Sequence, residues 1–306
     1  MSSRPSCQSP ESIPDRRVTA PGYHPAMELT SVQRRTIDQL LDVGDGRAFP
    51  PDLERGLREA IEQGIEGVLD GSTQPLVLSK EPPFEHSAAS ATGTLAHRAI
   101  EVDVAAGHAV EPDRVVELAS ERLGRDRRFA LYWDGLDQVE RAELAMQALR
   151  SLEQFRASFP PVHAFRRALA PVSELWLESP FANGLVTVRG RVDLVLNPAR
   201  TGRATRVLID LKGGRARSEH PEDMRLYALL YTLRTGVPPV RVATFFLSSG
   251  EWMLEDVSDS TLEHAADRVV AAAGSASRRA RGDPPRLVPG PHCARCPVRD
   301  RCPAAV

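Results

Sequence analysis

Residues 206–214 read RVLIDLKGG, an apolar run interrupted by an acid and a base two positions apart. Burying either charge is costly unless a partner or ligand meets it. Alternation along a strand sends Val207, Ile209 and Leu211 one way and Leu208, Asp210 and Lys212 the other. Asp210 and Lys212 therefore project side by side from the end of a central strand. The choice of cation is informative, because the chain holds 37 Arg and only two Lys, Lys80 and Lys212. Where arginine is the default base, a lysine at 212 points to a site that wants a compact ammonium and not a wide planar fork.

A second acid precedes it. Asp193 sits in GRVDLVLN, flanked by Val and Leu, and sixteen residues separate it from Asp210. Two carboxylates on neighbouring strands form a natural oxygen cage for Mg²⁺. Such an ion keeps waters, acidifies one and steadies a phosphate oxygen as charge builds. Lys212 would then orient or help deprotonate that water. A structural Asp–Lys ion pair is the alternative, and Asp193 at this spacing tips the balance towards the metal site.

The order of elements sets the architecture. Apolar spacing is helical from 28 to 72, again in TGTLAHRAIEVDVAAG (92–107), where Thr92 or Thr94 is placed to cap, and then near 111–123 and 137–158. SELWLES, LVTVRGRVDLVLN and TRVLIDLKG read as three strands. HPEDMRLYALLYTLRTG reads as an amphipathic helix ended by Gly236, VRVATFFLSSGEWMLEDVS as a hairpin, and TLEHAADRVVAAAG as a further helix. The expectation is a single α/β domain with a helical front end. Its parts are a Ser-, Pro- and Arg-rich disordered leader over 1–28, a helical region over 29–160, a core over 161–290 and a cysteine knuckle over 291–306. Met27 is a candidate alternative start.

No apolar run approaches the roughly 18 to 20 residues of a membrane span, and the N-terminus lacks the apolar core of a signal peptide. A cytoplasmic protein with no membrane partner is expected. The net charge of −2 supplies no global attraction to nucleic acid. Local clusters such as RRARGDPPR (278–286) and RCPVRDRC (295–302) would have to provide it. No Gly-rich loop ending in Gly-Lys-Ser/Thr is present, so no ATP-hydrolysing motif accompanies the site.

The sequence GTLAHRAIE, then GRVDLVL, IDLKGG and DMRLYALLY, in that order, resembles the PD-(D/E)XK nuclease superfamily. Within it the RecB-like branch is the most similar, the branch of AddB-type repair nucleases and CRISPR-adaptation nucleases. The resemblance covers about 92–302. It implies a restriction-endonuclease-like core, a mixed central sheet flanked by helices. It further implies that His97, Asp193 and Asp210 ligate a divalent metal, Mg²⁺ or Mn²⁺, with the Leu211 carbonyl as a further ligand. Lys212 would be the catalytic lysine. Glu174 matches the acid at the head of the first core strand, with Glu178 as its competitor. Tyr227 matches the tyrosine of the Gln-x-x-x-Tyr helix near substrate, although Asp223 stands where the Gln would be, and a carboxylate cannot donate to phosphate. Glu101, one turn after His97, is the expected partner of that imidazole. Imidazole ligation favours Mn²⁺ over Mg²⁺.

Cys293, Cys296 and Cys302 close the chain in a C-x2-C-x5-C pattern, which in a cytosolic protein suggests metal. Related nucleases hold a [4Fe–4S] cluster here with a fourth cysteine upstream of the helical His, and that cysteine is missing. Four thiolates are the usual requirement. Cys7 could fold back as the fourth ligand, His292 could complete a zinc site, or the knuckle could be empty. The function implied is a metal-dependent DNA nuclease in repair or recombination, with DNA and a separate helicase or repair protein as partners. The alternatives are a non-catalytic nucleic-acid-binding or scaffolding domain of the same fold, and an unrelated metal-binding α/β protein.

Overall fold

The structure, a computed structural model, describes residues 28–69, 85–106, 110–162, 164–214, 220–284, 286–290, 293, 296 and 298–304. Cys7, Lys80, His292 and nearly all of the predicted leader lie outside them.

The helical front end is less continuous than its apolar spacing suggests. Thr30 caps α1 (Ser31–Thr36) with a capping box closed by Gln33, and a π turn over Ile37–Leu41 follows. Pro50 and Pro51 then separate this turn from α2 (Leu53–Leu69). Helix α3 (Ala88–Ala106) begins four residues earlier than expected. Ser87 and Ser90 bond each other's backbone and side chains at its start, while Thr92 and Thr94 are already inside and bond back to Ala88 and Ser90. The cap is therefore at Ser87, and neither threonine serves. Helix α4 (Pro112–Leu123) follows, then α5 (Arg127–Asp134), which the spacing does not reveal, α6 (Gln138–Ser158) and the single turn α7 (Arg166–Leu169).

Five strands form one mixed sheet in the order β1–β2–β3–β4–β5. They are β1 (Val172–Phe181), β2 (Val186–Leu196), β3 (Val207–Lys212), β4 (Arg241–Phe246) and β5 (Glu251–Asp256). All neighbours are antiparallel except β3 and β4, which run parallel. Parallel strands need a crossover, and α8 (His220–Thr235) supplies it, ending at Gly236 with φ 74°. Helix α9 (Asp259–Ala280) follows with a Ser258 capping box, and a single 3-10 turn over Arg299–Arg301 comes after it. The α/β expectation, a mixed sheet flanked by helices, is met.

Each sheet face carries its own core. Val207, Ile209 and Leu211 pack with α3, α4 and α6, around Leu95, Leu152, Phe155 and Phe159. Leu208 packs on the opposite side with α2, α8 and α9, around Ile61, Ile65, Leu229 and Leu262. The alternation of β3 is thus realised as two buried faces. Helix α2 joins the C-terminal side and not the other front-end helices. Gly64 makes this close approach possible, since a Cβ there would lie 2.7 Å from Val270.

Candidate active site

The β2–β3 ladder stops short of both Asp193 and Asp210. Leu194 pairs with Ile209, and the next positions, Asp193 opposite Asp210, are outside the register. On the other side Ser173 pairs with Leu194 and Leu175 with Val192, so Glu174 opposite Asp193 also drops out. Val192 belongs to the α8-side core whereas Leu194 belongs to the α3-side core, so the alternation of β2 slips between them, at Asp193. Glu174 itself has φ 53°, a left-handed conformation that a non-glycine residue adopts only when its surroundings enforce it. Three carboxylates therefore converge where β2 parts from β3 and the β1–β2 ladder is interrupted.

Asp193 and Asp210 are only 8% and 4% exposed, so each needs compensation. Asp193 Oδ2 accepts a 2.7 Å hydrogen bond from the Leu211 N–H, which spans the gap that the ladder leaves. His97 Nδ1 lies 3.3 Å from the other oxygen, Oδ1. Lys212 Nζ lies 2.7 Å from Asp210 Oδ2. Arg191 Nη1 lies 2.9 Å from Glu174 Oε2.

These contacts set the protonation states. Burial pushes Asp210 up, the Asp193 charge adds to it, and Lys212 only partly offsets them, leaving its pKa at about 6. Burial also acts on Asp193, but His97, the Leu211 N–H and Lys212 together hold it below the usual carboxylate value. Burial disfavours a charged His97, yet Asp193 outweighs it and raises the imidazole above its ordinary value. The Lys212 ammonium is likewise raised, with burial overcome by Asp210. Glu174 is raised by burial more than Arg191 lowers it.

The remaining predicted residues divide. Tyr227 packs from α8 against Gly190, where a Cβ would come within 2.8 Å of its ring, and burial together with the Asp210 and Asp193 charges raises its phenol. Glu178 is not at the site, because Arg189 Nε holds it 2.6 Å away on the exposed part of the hairpin. Glu101 does not partner His97 either. It pairs with Arg98, three residues back on its own helix, and His97 turns to Asp193. Arg191 is the residue that strand alternation alone could not reveal, since its role depends on the β1–β2 register, which sets it opposite Trp176.

The family model described as PD-(D/E)XK nuclease superfamily matches residues 55–303. The chain belongs to this superfamily. Its members are usually phosphodiester-cleaving hydrolases and generally use divalent metal ions. The PD-(D/E)XK assignment spans α2 to the C-terminal cysteines, and so covers both helix layers as well as the sheet. No curated protein matches the chain significantly. Among solved structures it is similar to one titled "Crystal structure of SSO0001", with 11% identity and a TM-score of 0.32, over 80% of this chain and 96% of that one.

Among the described residues, no three His, Cys, Asp or Glu side chains are gathered tightly enough to hold a metal. Of the predicted ligands, His97 contacts Asp193, while Asp210 is held by Lys212 and feels the Asp193 charge. The donor set nevertheless suits a hard or borderline divalent cation, with two buried carboxylates and one imidazole. Cys293, Cys296 and Cys302 are half-buried free thiols. They sit on consecutive tight turns, with Cys296 N–H donating to the Cys293 carbonyl and Cys302 N–H to that of Arg299.

Proposed function

We propose that the protein is a metal-dependent DNA nuclease of the RecB-like branch, acting in repair or recombination. The observation that carries this reading is the gathering of Asp193, Asp210 and Lys212, flanked by His97 and Glu174, where β2 parts from β3. Asp193, Asp210 and His97 would hold Mg²⁺ or Mn²⁺. When bound, such an ion acidifies a water and neutralises charge on the phosphate. The chain's own groups do the rest. Lys212, held in place by Asp210, offers a fixed positive charge for the phosphate oxygens, worth most in a partly buried site. Tyr227, protonated at neutral pH, is available as a donor towards the same oxygens. Glu174 fixes Arg191 beside them.

Labelled single- and double-stranded DNA, incubated with the protein in Mg²⁺ or Mn²⁺, provides the test. Cleavage is expected, with complete loss in Asp210→Asn. Binding without cleavage in every metal would instead support a non-catalytic nucleic-acid-binding or scaffolding domain. Asp223, in place of a donor, and the internal pairing of both carboxylates favour that second reading. The C-terminal cysteines would supply three of the four thiolates of an iron–sulfur cluster, or part of a zinc site. Iron and zinc analysis after anaerobic purification distinguishes these. A separate helicase or repair protein would deliver the strand, and the cytoplasm is the expected location. Among the described residues no helix is long and apolar enough to cross a membrane.

A further inference from the structure

Trp176 is 62% exposed, on the edge strand β1. A large aromatic left in water on a sheet face calls for an explanation. Its cross-strand partner is Arg191, whose guanidinium lies 5.6 Å from the ring centroid. The same Arg191 reaches Glu174 at 2.9 Å, so ring, guanidinium and candidate active site form one continuous arrangement. Arg234 donates to the Trp176 carbonyl and fixes the strand from α8. Arg189, two cross-strand pairs further out, is bound to Glu178 through Nε alone. A guanidinium has five donors, so Arg189 and Arg191 both keep N–H groups for an anion. Trp176 lies two residues beyond Glu174, roughly 7 Å along the strand.

We propose that Trp176 and Arg191 form a stacking platform for an unpaired nucleobase, and that the substrate enters this site as a single strand. This rests on the nuclease reading of the adjoining residues. An exposed indole bordered by guanidinium groups matches a nucleotide, which presents a π-face and a phosphate together. An apolar protein partner would have to bury those guanidinium groups without anions to meet them. Duplex DNA keeps its bases stacked on one another, so it cannot use the ring. A base on Trp176 would belong to a nucleotide next to the one whose phosphate faces Lys212.

The test measures binding in chelator, where no cleavage occurs. Anisotropy of a labelled short oligothymidylate and of a blunt duplex is followed for wild type, Trp176→Leu and Trp176→Phe. Trp176→Leu is expected to weaken single-strand binding on the order of tenfold, Trp176→Phe to stay within about threefold because phenylalanine also stacks, and duplex affinity to be the same in all three. Wild-type tryptophan emission should also be quenched by saturating oligothymidylate, since Trp133 and Trp252 are more buried. Unchanged single-strand affinity in Trp176→Leu, equal loss for both DNAs, or no quenching overturns the proposal. Trp-dependent binding without cleavage in any metal would leave the platform standing and remove the nuclease. Cleavage by a protein whose single-strand binding ignores Trp176 would do the reverse.

Discussion

Lys212 carries the site's one fixed positive charge on β3, with its ammonium 2.7 Å from Asp210 Oδ2 and its side chain partly buried. A guanidinium in that place is planar and wider, and would meet the carboxylate as a fork instead of a point. Lys212→Arg is therefore expected to lower the cleavage rate by about 10²- to 10³-fold at saturating metal, the scale of losing one fixed donor to a developing oxyanion. A wild-type rate in this variant would mean that the lysine is an accident of codon usage. Asp193, Asp210 and Lys212 were legible from the sequence because a charge in an apolar strand is conspicuous and the strand period is two. His97 was legible only through motif resemblance, since a helical histidine carries no physical mark of its partner. Glu174 was visible as a residue, but its left-handed φ of 53° was not, because no glycine or asparagine announces it. Arg191 was hidden altogether. A chain with 37 arginines gives no reason to single one out until register sets it opposite Trp176.

Elements position these residues through a few close contacts. Gly190 on β2 lies under the Tyr227 ring of α8, and a Cβ there would meet that ring at 2.8 Å. Gly190→Ala must push ring or helix away, at an expected cost of about 1–3 kcal/mol in chemical unfolding, and cleavage should fall with it. An alanine that leaves the unfolding midpoint unchanged would show that α8 yields freely there. Helix α5 illustrates what periodicity misses. Its eight residues, RRFALYWD, are shorter than the window in which a helical repeat can be counted. Local chemistry makes it: Asp126 accepts from the Arg128 and Phe129 N–H groups, and Phe129 is buried with Trp133 stacked on it. Asp126→Ala should cost about 1 kcal/mol at neutral pH. Those N–H bonds, Phe129 first, hold the Asp126 pKa below its ordinary 3.8. A depressed carboxylate stabilises fully above the unfolded value and loses that contribution as pH falls through the folded one. The deficit of Asp126→Ala against wild type should accordingly shrink in acid, by urea melts at neutral pH and well below pH 3.8. A deficit that stays constant would mean the cap does not act as a carboxylate.

At the scale of the whole molecule, the site lies at the seam of two layers, with His97 arriving on α3 and Tyr227 on α8. The alternation of helices and strands made the α/β class legible. The allocation of helices to faces was not, because α2 is contiguous with the front end but packs on α9, some two hundred residues later, and no local pattern encodes such a pairing. The α3 layer is further tied together by charge. Asp103, fully buried on α3, receives Arg156 of α6 at 2.5 Å, and the same guanidinium reaches the Val110 carbonyl at 3.0 Å. Asp103 is six residues beyond His97 on one helix, so this bridge fixes the segment that brings the imidazole to Asp193. Asp103→Ala leaves a cation in a mostly buried position and should cost about 3 kcal/mol in urea unfolding. Replacing both partners, Asp103→Leu with Arg156→Met, removes the stranded charge and should recover most of that loss. The two variants separate stability from placement. If the apolar pair restores both the unfolding midpoint and cleavage, packing alone is enough to seat α3. If it restores stability while cleavage stays low, the ion pair serves to hold His97 in register with the carboxylates. A single variant as stable as wild type would show that Arg156 finds its compensation elsewhere, and the bridge would then have no part in building the site.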